Sequence, residues 1–296
     1  MTEPVPPPTA QARLSRSAKA SWRALIRKVD SLRGVGTLRT IRGLDTWSLR
    51  WTYARFKVTT KLGLPHGGML APTGTAPRAT REGYEFEPRD GTSDRDVLWP
   101  FNEVQTRWLV RRRFAHGPPG GVFIDIGAHC GSFSIPFESF FDTVLSIEPL
   151  PDNYRALQRN IGLNDLEGKL RALNVAAGAS PASGVMFVKA DDTSSLVFPE
   201  GSSGTVGVEI RTLDDMLADE AIRPAEVRLL KADVEGYELE VLAGARRLLA
   251  EGSPVVVLEA NTDAAKQSLE ARMAQSGYEL VRVADGRNLF FERFPA

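Results

Sequence analysis

The sequence predicts an α/β fold: a doubly wound, mostly parallel β-sheet that carries a C-terminal antiparallel hairpin. Two observations lead to this prediction. From residue 122 onward, short apolar runs alternate with longer stretches of helical periodicity, which is the pattern of a βα repeat. The chain then ends on two strand-like runs on either side of Asp285-Gly286, a dipeptide typical of tight turns. A basic helical extension precedes this domain.

The apolar runs are short enough for buried strands, and the segments between them are long enough for helices. The break Pro118-Pro119-Gly120-Gly121 marks where the repeat begins. The predicted strands cover 122–126, 143–147, 170–176, 227–232 and 254–258, and the predicted helices cover 132–141, 152–163, 235–250 and 262–276. An extra strand pair is predicted at 184–189 and 205–211, and the hairpin at 278–283 and 288–293.

The chain divides into a tail, an extension and a main domain. Residues 1–20 are predicted to form a disordered tail, because the first twelve residues contain four prolines and little to bury. Residues 21–92 are predicted to form a basic helical extension and a linker. Apolar side chains recur at helical spacing between residues 15 and 32, and Gly, Pro and Thr dominate 63–81. The main domain is predicted to cover 93–296.

A formal net charge of zero hides an uneven distribution of charge. Residues 1–61 contain 13 Lys and Arg against 3 Asp and Glu, which leaves 24 basic and 34 acidic residues in the rest of the chain. The basic amphipathic helix can lie on an anionic membrane surface, cover an apolar patch of its own domain, or meet a second subunit. The pattern does not decide among these three.

The composition also indicates the cellular compartment. The single cysteine, Cys130, excludes an intrachain disulfide, which favours a reducing environment. The N-terminus lacks the basic-then-apolar pattern of a signal peptide, and no apolar run approaches the roughly 20 residues that span a bilayer. We therefore expect a soluble, cytoplasmic protein without a transmembrane segment.

The first predicted strand ends in a glycine loop, Asp125-Ile126-Gly127-Ala128-His129-Cys130-Gly131. A chain that leaves a strand, turns sharply and approaches a ligand needs residues without side chains, and open α/β sheets bind ligands at this edge. The spacing differs from the Gly-x-Gly-x-x-Gly of dinucleotide loops, in which pyrophosphate sits at a helix N-terminus. S-adenosylmethionine has no phosphate, so the loop favours this cofactor over a dinucleotide. A purely structural strand-turn-helix is the alternative.

The second predicted strand ends on a carboxylate, Glu148, which follows Gly131 by 17 residues. An acid at this position of a doubly wound sheet can accept hydrogen bonds from both ribose hydroxyls of a cofactor. An exposed strand-end acid or a helix cap would look the same in isolation. The combination with the glycine loop makes cofactor binding the more specific interpretation.

Carboxylates also follow the next two strands of the predicted sheet edge. Asp233 and Glu235 come after the strand at 227–232, and Glu259 and Asn261 come at the end of the strand at 254–258. Asp233 is predicted to face a reactive methyl group, where it can orient an acceptor hydroxyl or act as general base. Glu235 can do the same or only favour a helix N-terminus. Asp233, Glu259 and Asn261 can bind Mg²⁺ or form a hydrogen-bonding network around a substrate.

Seven short motifs together resemble the FkbM family of methyltransferases, and the resemblance covers about residues 93–291. The most specific of them is Asp-Val-Glu-Gly at 233–236. The others are Asp-Ile-Gly-Ala-x-x-Gly (125–131), Ile-Glu-Pro (147–149), Arg-Asn-Ile-Gly-Leu-Asn (159–164), Ala-Ala-Gly (176–178), Thr-Leu-Asp-Asp (212–215) and Val-Leu-Ala-Gly-Ala (241–245).

The resemblance implies a class I methyltransferase fold, which is Rossmann-like, and S-adenosylmethionine as the cofactor. It further implies methyl transfer, commonly to an oxygen of a small molecule, polyketide or sugar. The family usually has Asn where this chain has His129, so no side-chain role is carried over there. The predicted cofactor-binding residues are Asp125, Gly127, Ala128, Gly131, Glu148 and Ala176, and the predicted catalytic residues are Asp233, Glu235 and Glu259, with no metal ligand assigned.

The function predicted from the sequence is O-methylation of a small molecule or glycan. The first alternative is a nucleic-acid methyltransferase that uses the basic arm. It is disfavoured because the chain lacks an Asn-Pro-Pro-Tyr-type motif and its basic charge lies away from the predicted site. The second alternative is a non-catalytic interaction protein on the same fold. The acceptor and the oligomeric state are not readable from the sequence.

Overall fold

The computed structural model describes residues 79–81, 83–98, 102–188, 194–195 and 204–294. The predicted tail, the amphipathic helix at 15–32 and most of the linker lie outside these residues. The strands are β1 (Ala79–Arg81), β2 (Tyr84–Phe86), β3 (Val122–Ile126), β4 (Thr143–Ile147), β5 (Leu170–Leu173), β6 (Ala176–Ala177), β7 (Ala182–Val188), β8 (Ser194–Ser195), β9 (Gly204–Arg211), β10 (Val227–Ala232), β11 (Val255–Glu259), β12 (Glu279–Ala284) and β13 (Asn288–Glu292).

The α-helices of the described residues are mostly short. They are α1 (Asp94–Val97), α2 (Val104–Phe114), α3 (Ser134–Phe137), α4 (Pro151–Leu163), α5 (Leu213–Asp219), α6 (Glu238–Ala243), α7 (Arg246–Glu251) and α8 (Asp263–Gln275). Two 3₁₀ turns, Glu138–Phe140 and Pro224–Glu226, follow α3 and precede β10. Among the described residues, no helix is long and apolar enough to cross a membrane.

A seven-stranded sheet of order β12-β13-β11-β10-β3-β4-β5 forms the centre of the domain. The strands from β11 to β5 run parallel, while β13 pairs antiparallel with both β11 and β12. All five residues of β3 and of β11 are buried, as expected for parallel strands covered on both faces. The predicted doubly wound sheet with a C-terminal antiparallel hairpin is confirmed.

Side chains of alternating positions on β3 enter two different cores, one on each face of the sheet. Ile124 and Ile126 pack with residues of α5 to α8, whereas Phe123 packs with residues of α2, α3 and α4. A period of two in the strand therefore supplies both layers. The two cores fix the strand ends that carry the polar residues of the site.

The predicted strand at 170–176 is wrong in its second half. β5 ends at Leu173, and Ala176 belongs to a second, four-stranded sheet of order β6-β9-β7-β8. The predicted extra strand pair is confirmed as the antiparallel pair β7 and β9 of this sheet. A small core holds the second sheet together and contains Leu150, Ala176, Met186, Val208 and Ile210.

The predicted helix at 235–250 is also wrong, because it is broken into α6 and α7 at Gly244 and Ala245. A Cβ atom on Gly244 would lie 2.0 Å from the carbonyl oxygen of Gly178. The chain after β6 thus crosses the helix at van der Waals distance, and the helix bends around it. The predicted helix at 132–141 is only four residues long and continues as a 3₁₀ turn.

Residues before the predicted domain start at 93 also pack on the domain. The backbone N–H of Glu85 donates to Oδ1 of Asn164 at 2.9 Å, and Nδ2 of Asn164 returns a bond to the carbonyl of Glu85 at 2.7 Å. The N–H of Glu87 donates to Oδ1 of Asn160 at 2.9 Å, and Phe86 between them is fully buried. The β1–β2 hairpin is therefore fastened to α4.

Candidate active site

The glycine loop leaves β3 in a conformation that only glycine adopts without strain at its first position. Gly127 has φ 79°, and a Cβ atom there would lie 1.9 Å from the carbonyl oxygen of Asp233. The N–H groups of Gly127 and Ala128 both donate to the carbonyl of Ile147, at 2.9 and 3.1 Å. The loop is therefore held against the ends of β4 and β10.

The end of the loop is equally constrained. Gly131 has φ 86°, and a Cβ atom there would lie 2.8 Å from methyl carbons of Ile135 and Leu157. His129 has φ 53°, in the left-handed region that few side chains tolerate. Its ring nitrogen Nε2 lies 3.1 Å from Oγ of Ser93, so its side chain faces α1.

Glu148 binds the backbone of the loop from the end of β4. The N–H of His129 donates to Oε2 at 2.9 Å, and the N–H of Leu150 donates to Oε1 at 2.9 Å. The side chain is 4% exposed, and this burial raises the pKa of Glu148. The side chain of Asn153 also hydrogen-bonds to Glu148, so protein groups use about three of the four acceptor positions of the ionised carboxylate, and the remaining capacity is open to a ligand.

A cleft opens at the carboxyl edge of the sheet, where the strand order changes direction. It encloses about 510 Å³ including its open mouth. Among the residues that the structure describes, the charged side chains that line it are Glu148 and Asp233, and both are acidic. The described lining residues are Ile126, Gly127, Glu148, Pro149, Ala176, Ala177, Met186, Asp233, Val234 and Tyr237.

Asp125 lies beneath the loop and does not line the cleft. It is fully buried in β3, and Oγ of Ser134 donates to its Oδ2; Oγ of Ser146 in turn donates to Ser134 at 2.8 Å. Burial raises the pKa of Asp125, and the charge of Lys231 opposes that effect. Its Oδ1 accepts no hydrogen bond from the residues that the structure describes.

Three carboxylates meet next to the cleft, and of these Asp233 lines it. One oxygen each of Asp233, Glu235 and Glu259 lie within 4.8 Å of one another. Burial raises the pKa of Asp233, but the charge and hydrogen bond of Lys231, the hydrogen bond with Glu259 and the charge of Arg287 together outweigh it and bring the pKa to about 2. Burial and the charge of Asp233 raise the pKa of Glu259 to about 9. At neutral pH the pair therefore holds one proton, on Glu259.

Protein cations already contact both members of this pair. Nζ of Lys231 lies 3.0 Å from Oδ2 of Asp233, and Nη1 of Arg287 lies 2.6 Å from Oε1 of Glu259. Asn261, for which the sequence leaves open a Mg²⁺ site or a hydrogen-bonding network, donates its Nδ2 to Oε2 of Glu259 at 3.1 Å. The cluster of Asp233, Glu235 and Glu259 is thus balanced in part by groups of the chain itself.

The raised pKa of Glu259 leads to a prediction about the stability of the fold. Its pKa in the folded protein lies above its ordinary value of 4.5, so unfolding releases a proton between about pH 4.5 and 9. The free energy of unfolding should therefore fall as pH rises through this window. The slope from this group is at most about 1.4 kcal/mol per pH unit.

Glu259→Gln should remove that slope, because glutamine does not titrate. We expect urea unfolding at pH 5, 7 and 9 to show the variant gaining stability relative to wild type as pH rises. Glu251→Gln, an exposed change at the end of α7, is the control. Parallel pH dependence of Glu259→Gln and wild type would contradict the protonated state of Glu259.

The structure brings most of the predicted site residues together. Gly127, Glu148, Ala176 and Asp233 line one cleft, and Glu235 and Glu259 lie beside Asp233. Ala128 and Gly131 belong to the loop and Asp125 lies beneath it, but none of the three is among the described lining residues. Sequence reasoning missed Met186 and Tyr237 in the lining, and it missed Lys231 and Arg287 as partners of the carboxylates.

Comparison with known proteins gives a consistent result. A model of the methyltransferase FkbM domain matches residues 125–280, more than half of the chain. Methyltransferase sdnD of Sordaria araneosa is 26% identical over 233 residues, which cover 64% of this chain and 88% of that protein. Methyltransferase 1 of Beauveria bassiana is 27% identical over 149 residues, which cover 43% of this chain and 59% of that protein.

A solved structure, methyltransferase FkbM from Methylobacillus flagellatus KT, superimposes with a TM-score of 0.44 at 18% identity. The match covers 69% of this chain but only 55% of that one, so this chain spans little more than half of its length. The strand order of the central sheet, with β13 inserted between β11 and β12, is that of a class I methyltransferase. The chain belongs to the FkbM family of methyltransferases.

Proposed function

We propose that this methyltransferase uses S-adenosylmethionine and transfers the methyl group to a hydroxyl of a small molecule, polyketide or sugar. The charge of the cleft carries the proposal. The donor bears a sulfonium, an ammonium and a carboxylate group and no phosphate, so its net charge is positive. Among the described residues that line the cleft, the charged side chains are the carboxylates of Glu148 and Asp233. A dinucleotide would bring two phosphates into the same acidic cleft.

The residues of the cleft divide between two ends of the donor. Glu148 would accept hydrogen bonds from the ribose hydroxyls with its remaining lone pairs. Ala176 and Met186 would cover the adenine side, since both belong to the small apolar core of the second sheet. Gly127 and Ala128 would pass close to the amino-acid end, with Asp125 supporting the loop from below. Asp233 would face the methyl group.

Bound S-adenosylmethionine supplies an activated methyl group on its sulfonium. The chain has to align the acceptor oxygen with that methyl, exclude water, and receive the hydroxyl proton. An ionised Asp233 can accept a hydrogen bond from the acceptor hydroxyl and so orient its lone pair. A pKa of about 2 makes Asp233 a weak base. The oxygen becomes strongly acidic as it gains the methyl, however, so even a weak base takes the proton.

Glu148→Gln should weaken donor binding. Glutamine replaces one acceptor oxygen by an NH₂ group that faces a backbone N–H, of either His129 or Leu150. It also removes the charge that strengthens bonds to the ribose. Hydrogen bonds to charged groups contribute about 1.5–3 kcal/mol, so we expect the Kd for S-adenosylhomocysteine to rise roughly 10–100-fold. Titration calorimetry measures this directly.

Glu251→Gln serves as the matched control in the same titration, because its side chain is exposed and is not among the described lining residues of the cleft. Its Kd should equal that of wild type. Equal affinity of wild type and Glu148→Gln would remove Glu148 from the donor site.

The acceptor can be identified by supplying donor with a labelled methyl group to extracts with and without the protein. The proposal expects one labelled product with a new O-methyl group that requires the protein. Label on a nitrogen or carbon atom would keep the methyltransferase and overturn the oxygen acceptor.

The charge of residues 1–61 favours nucleic acid as a second candidate acceptor, since this segment contains 13 Lys and Arg but only 3 Asp and Glu. A protein that binds phosphates loses affinity steeply with salt. If the second candidate were correct, the full chain would bind RNA or DNA with a strong salt dependence, and deletion of 1–61 would abolish it. We expect that salt-dependent binding of RNA or DNA does not contribute to methyl transfer.

A further inference from the structure

Lys231 occupies a position where an apolar side chain would serve the fold better. It lies in β10, is 3% exposed, and is paired in register with Asp125 of β3 and Val257 of β11. Its Nζ lies 5.2 Å from the centroid of the Phe133 ring. Burial of an ammonium group is unfavourable unless charged partners compensate it. The partners of Lys231 therefore explain why the position carries a charge.

Those partners are carboxylates, and only one of them reaches the cleft. Nζ of Lys231 lies 3.0 Å from Oδ2 of Asp233 and 4.0 Å from Oε1 of Glu103. Glu103 and Asp125 are buried, whereas the side chain of Asp233 is 24% exposed and lines the cleft. Burial lowers the pKa of Lys231, but Asp233, Glu103 and Asp125 together raise it, so the ammonium stays charged.

The second anchor of Lys231 fixes its direction. Oε1 of Glu103 also accepts a bond from Nδ2 of Asn288 at 3.1 Å, so the carboxylate of Glu103 is held by β13 as well. Lys231 is thus fixed between a buried carboxylate on one side and Asp233 on the other. Oδ2 of Asp233 accepts a hydrogen bond from Nζ of Lys231, and Glu259 also hydrogen-bonds to this carboxylate, so protein groups fix its orientation at the cleft.

We propose that Lys231 is a positioning residue, whose ammonium holds the Asp233 carboxylate ionised and oriented toward the acceptor from beneath the edge of the sheet. The proposal rests on the proposed function, because it assigns Lys231 to the methyl-acceptor end of that same cleft. One result distinguishes this role from that of a purely structural ion pair. Loss of Lys231 should change the protonation state of Asp233 and leave donor binding nearly unchanged.

The test is the protonation of Asp233, followed by carboxyl ¹³C NMR on the full chain labelled with [4-¹³C]aspartate. Comparison with Asp233→Asn assigns the signal. In wild type Asp233 should stay ionised from pH 4 to 8. In Lys231→Met the nearest cation no longer opposes the effect of burial, so the pKa should rise from about 2 by about 1–3, and the signal should titrate with a midpoint at about pH 3–5 in a titration that extends down to about pH 2.5. The other charged groups around Asp233 are Glu235, Glu259, Arg287, Asp125 and Glu238.

Two variants separate charge from packing. Lys231→Arg keeps the cation and should restore the wild-type signal. Lys169→Met removes the lysine of an ion pair with Glu138, 2.6 Å long and outside the cleft lining, and should leave the Asp233 signal unchanged. The Kd for S-adenosylhomocysteine should stay within about threefold of wild type in all three lysine variants, well below the 10–100-fold loss expected at Glu148.

An Asp233 signal that does not move in folded Lys231→Met overturns the proposal. If Lys231→Met does not fold, Lys231→Met/Glu103→Gln removes one of the carboxylates left without a partner, and the same titration decides. The readout needs no methyl acceptor. Failure of the proposed function would show as labelled product without an O-methyl group, while failure of this inference would show as an unchanged Asp233 signal.

Discussion

Asp233→Asn is expected to bind the methyl donor normally and to lose methyl transfer by roughly 10²–10⁴-fold, the range typical for a positioned acid–base group. Asparagine has the shape of aspartate but cannot accept the hydroxyl proton, and its NH₂ group would face Nζ of Lys231, 3.0 Å away, or the acceptor. Single-turnover kinetics with labelled donor, once the acceptor is known, measure the loss, and calorimetry with S-adenosylhomocysteine measures donor binding.

The matched control for this substitution is Asp152→Asn at the start of α4. The side chain of Asp152 is 77% exposed, and its partner is Arg155 on the same helix. Its turnover should equal that of wild type. Full turnover in Asp233→Asn would show that the acceptor is activated elsewhere, and loss of donor binding together with turnover would place Asp233 in the donor site instead.

Gly127→Ala should have the largest effect on the fold of the site. Alanine in the left-handed region costs about 1–2 kcal/mol, and relief of a 1.9 Å contact with the carbonyl of Asp233 requires a backbone shift that typically costs 1–3 kcal/mol. We expect the free energy of unfolding to fall by roughly 2–5 kcal/mol. Donor binding should also be lost, because the shift moves the end of β3 away from β10.

Gly168→Ala provides the comparison for Gly127→Ala. A Cβ atom on Gly168 would have no atom within 4 Å, and this glycine does not lie in the left-handed region. Its effect on unfolding by urea should stay within about 0.5 kcal/mol. If the two alanine variants were equally stable, the close approach between the loop and Asp233 would be incorrect.

The sequence predicted the strands of the central sheet well for a physical reason. β3, β4 and β10 are short, predominantly apolar runs bounded by turn residues, and buried parallel strands leave that signature. The ends of these strands could therefore be predicted, and this placed Gly127, Glu148 and Asp233 near one another at one edge of the sheet. The family resemblance added the expected roles of these residues, which stay predictions until ligand binding is measured.

Features that depend on distant parts of the chain could not be predicted in this way. The break at Gly244 reflects the approach of Gly178, 66 positions earlier in the numbering, and no local pattern signals it. The partner of Glu259 is Arg287, on the hairpin turn, and one partner of Lys231 is Glu103, before α2. A lysine in an apolar strand was the one local signal of this network, because only charged partners make such burial tolerable.

A crystal structure of the full chain with S-adenosylhomocysteine tests most directly whether the cleft between β3, β4 and β10 binds the methyl donor. We predict that the ribose hydroxyls bond to Glu148, that the adenine packs against Ala176 and Met186, and that the sulfur faces Asp233. A ligand bound at another place, or no ligand in the cleft at a saturating concentration, would contradict the assignment.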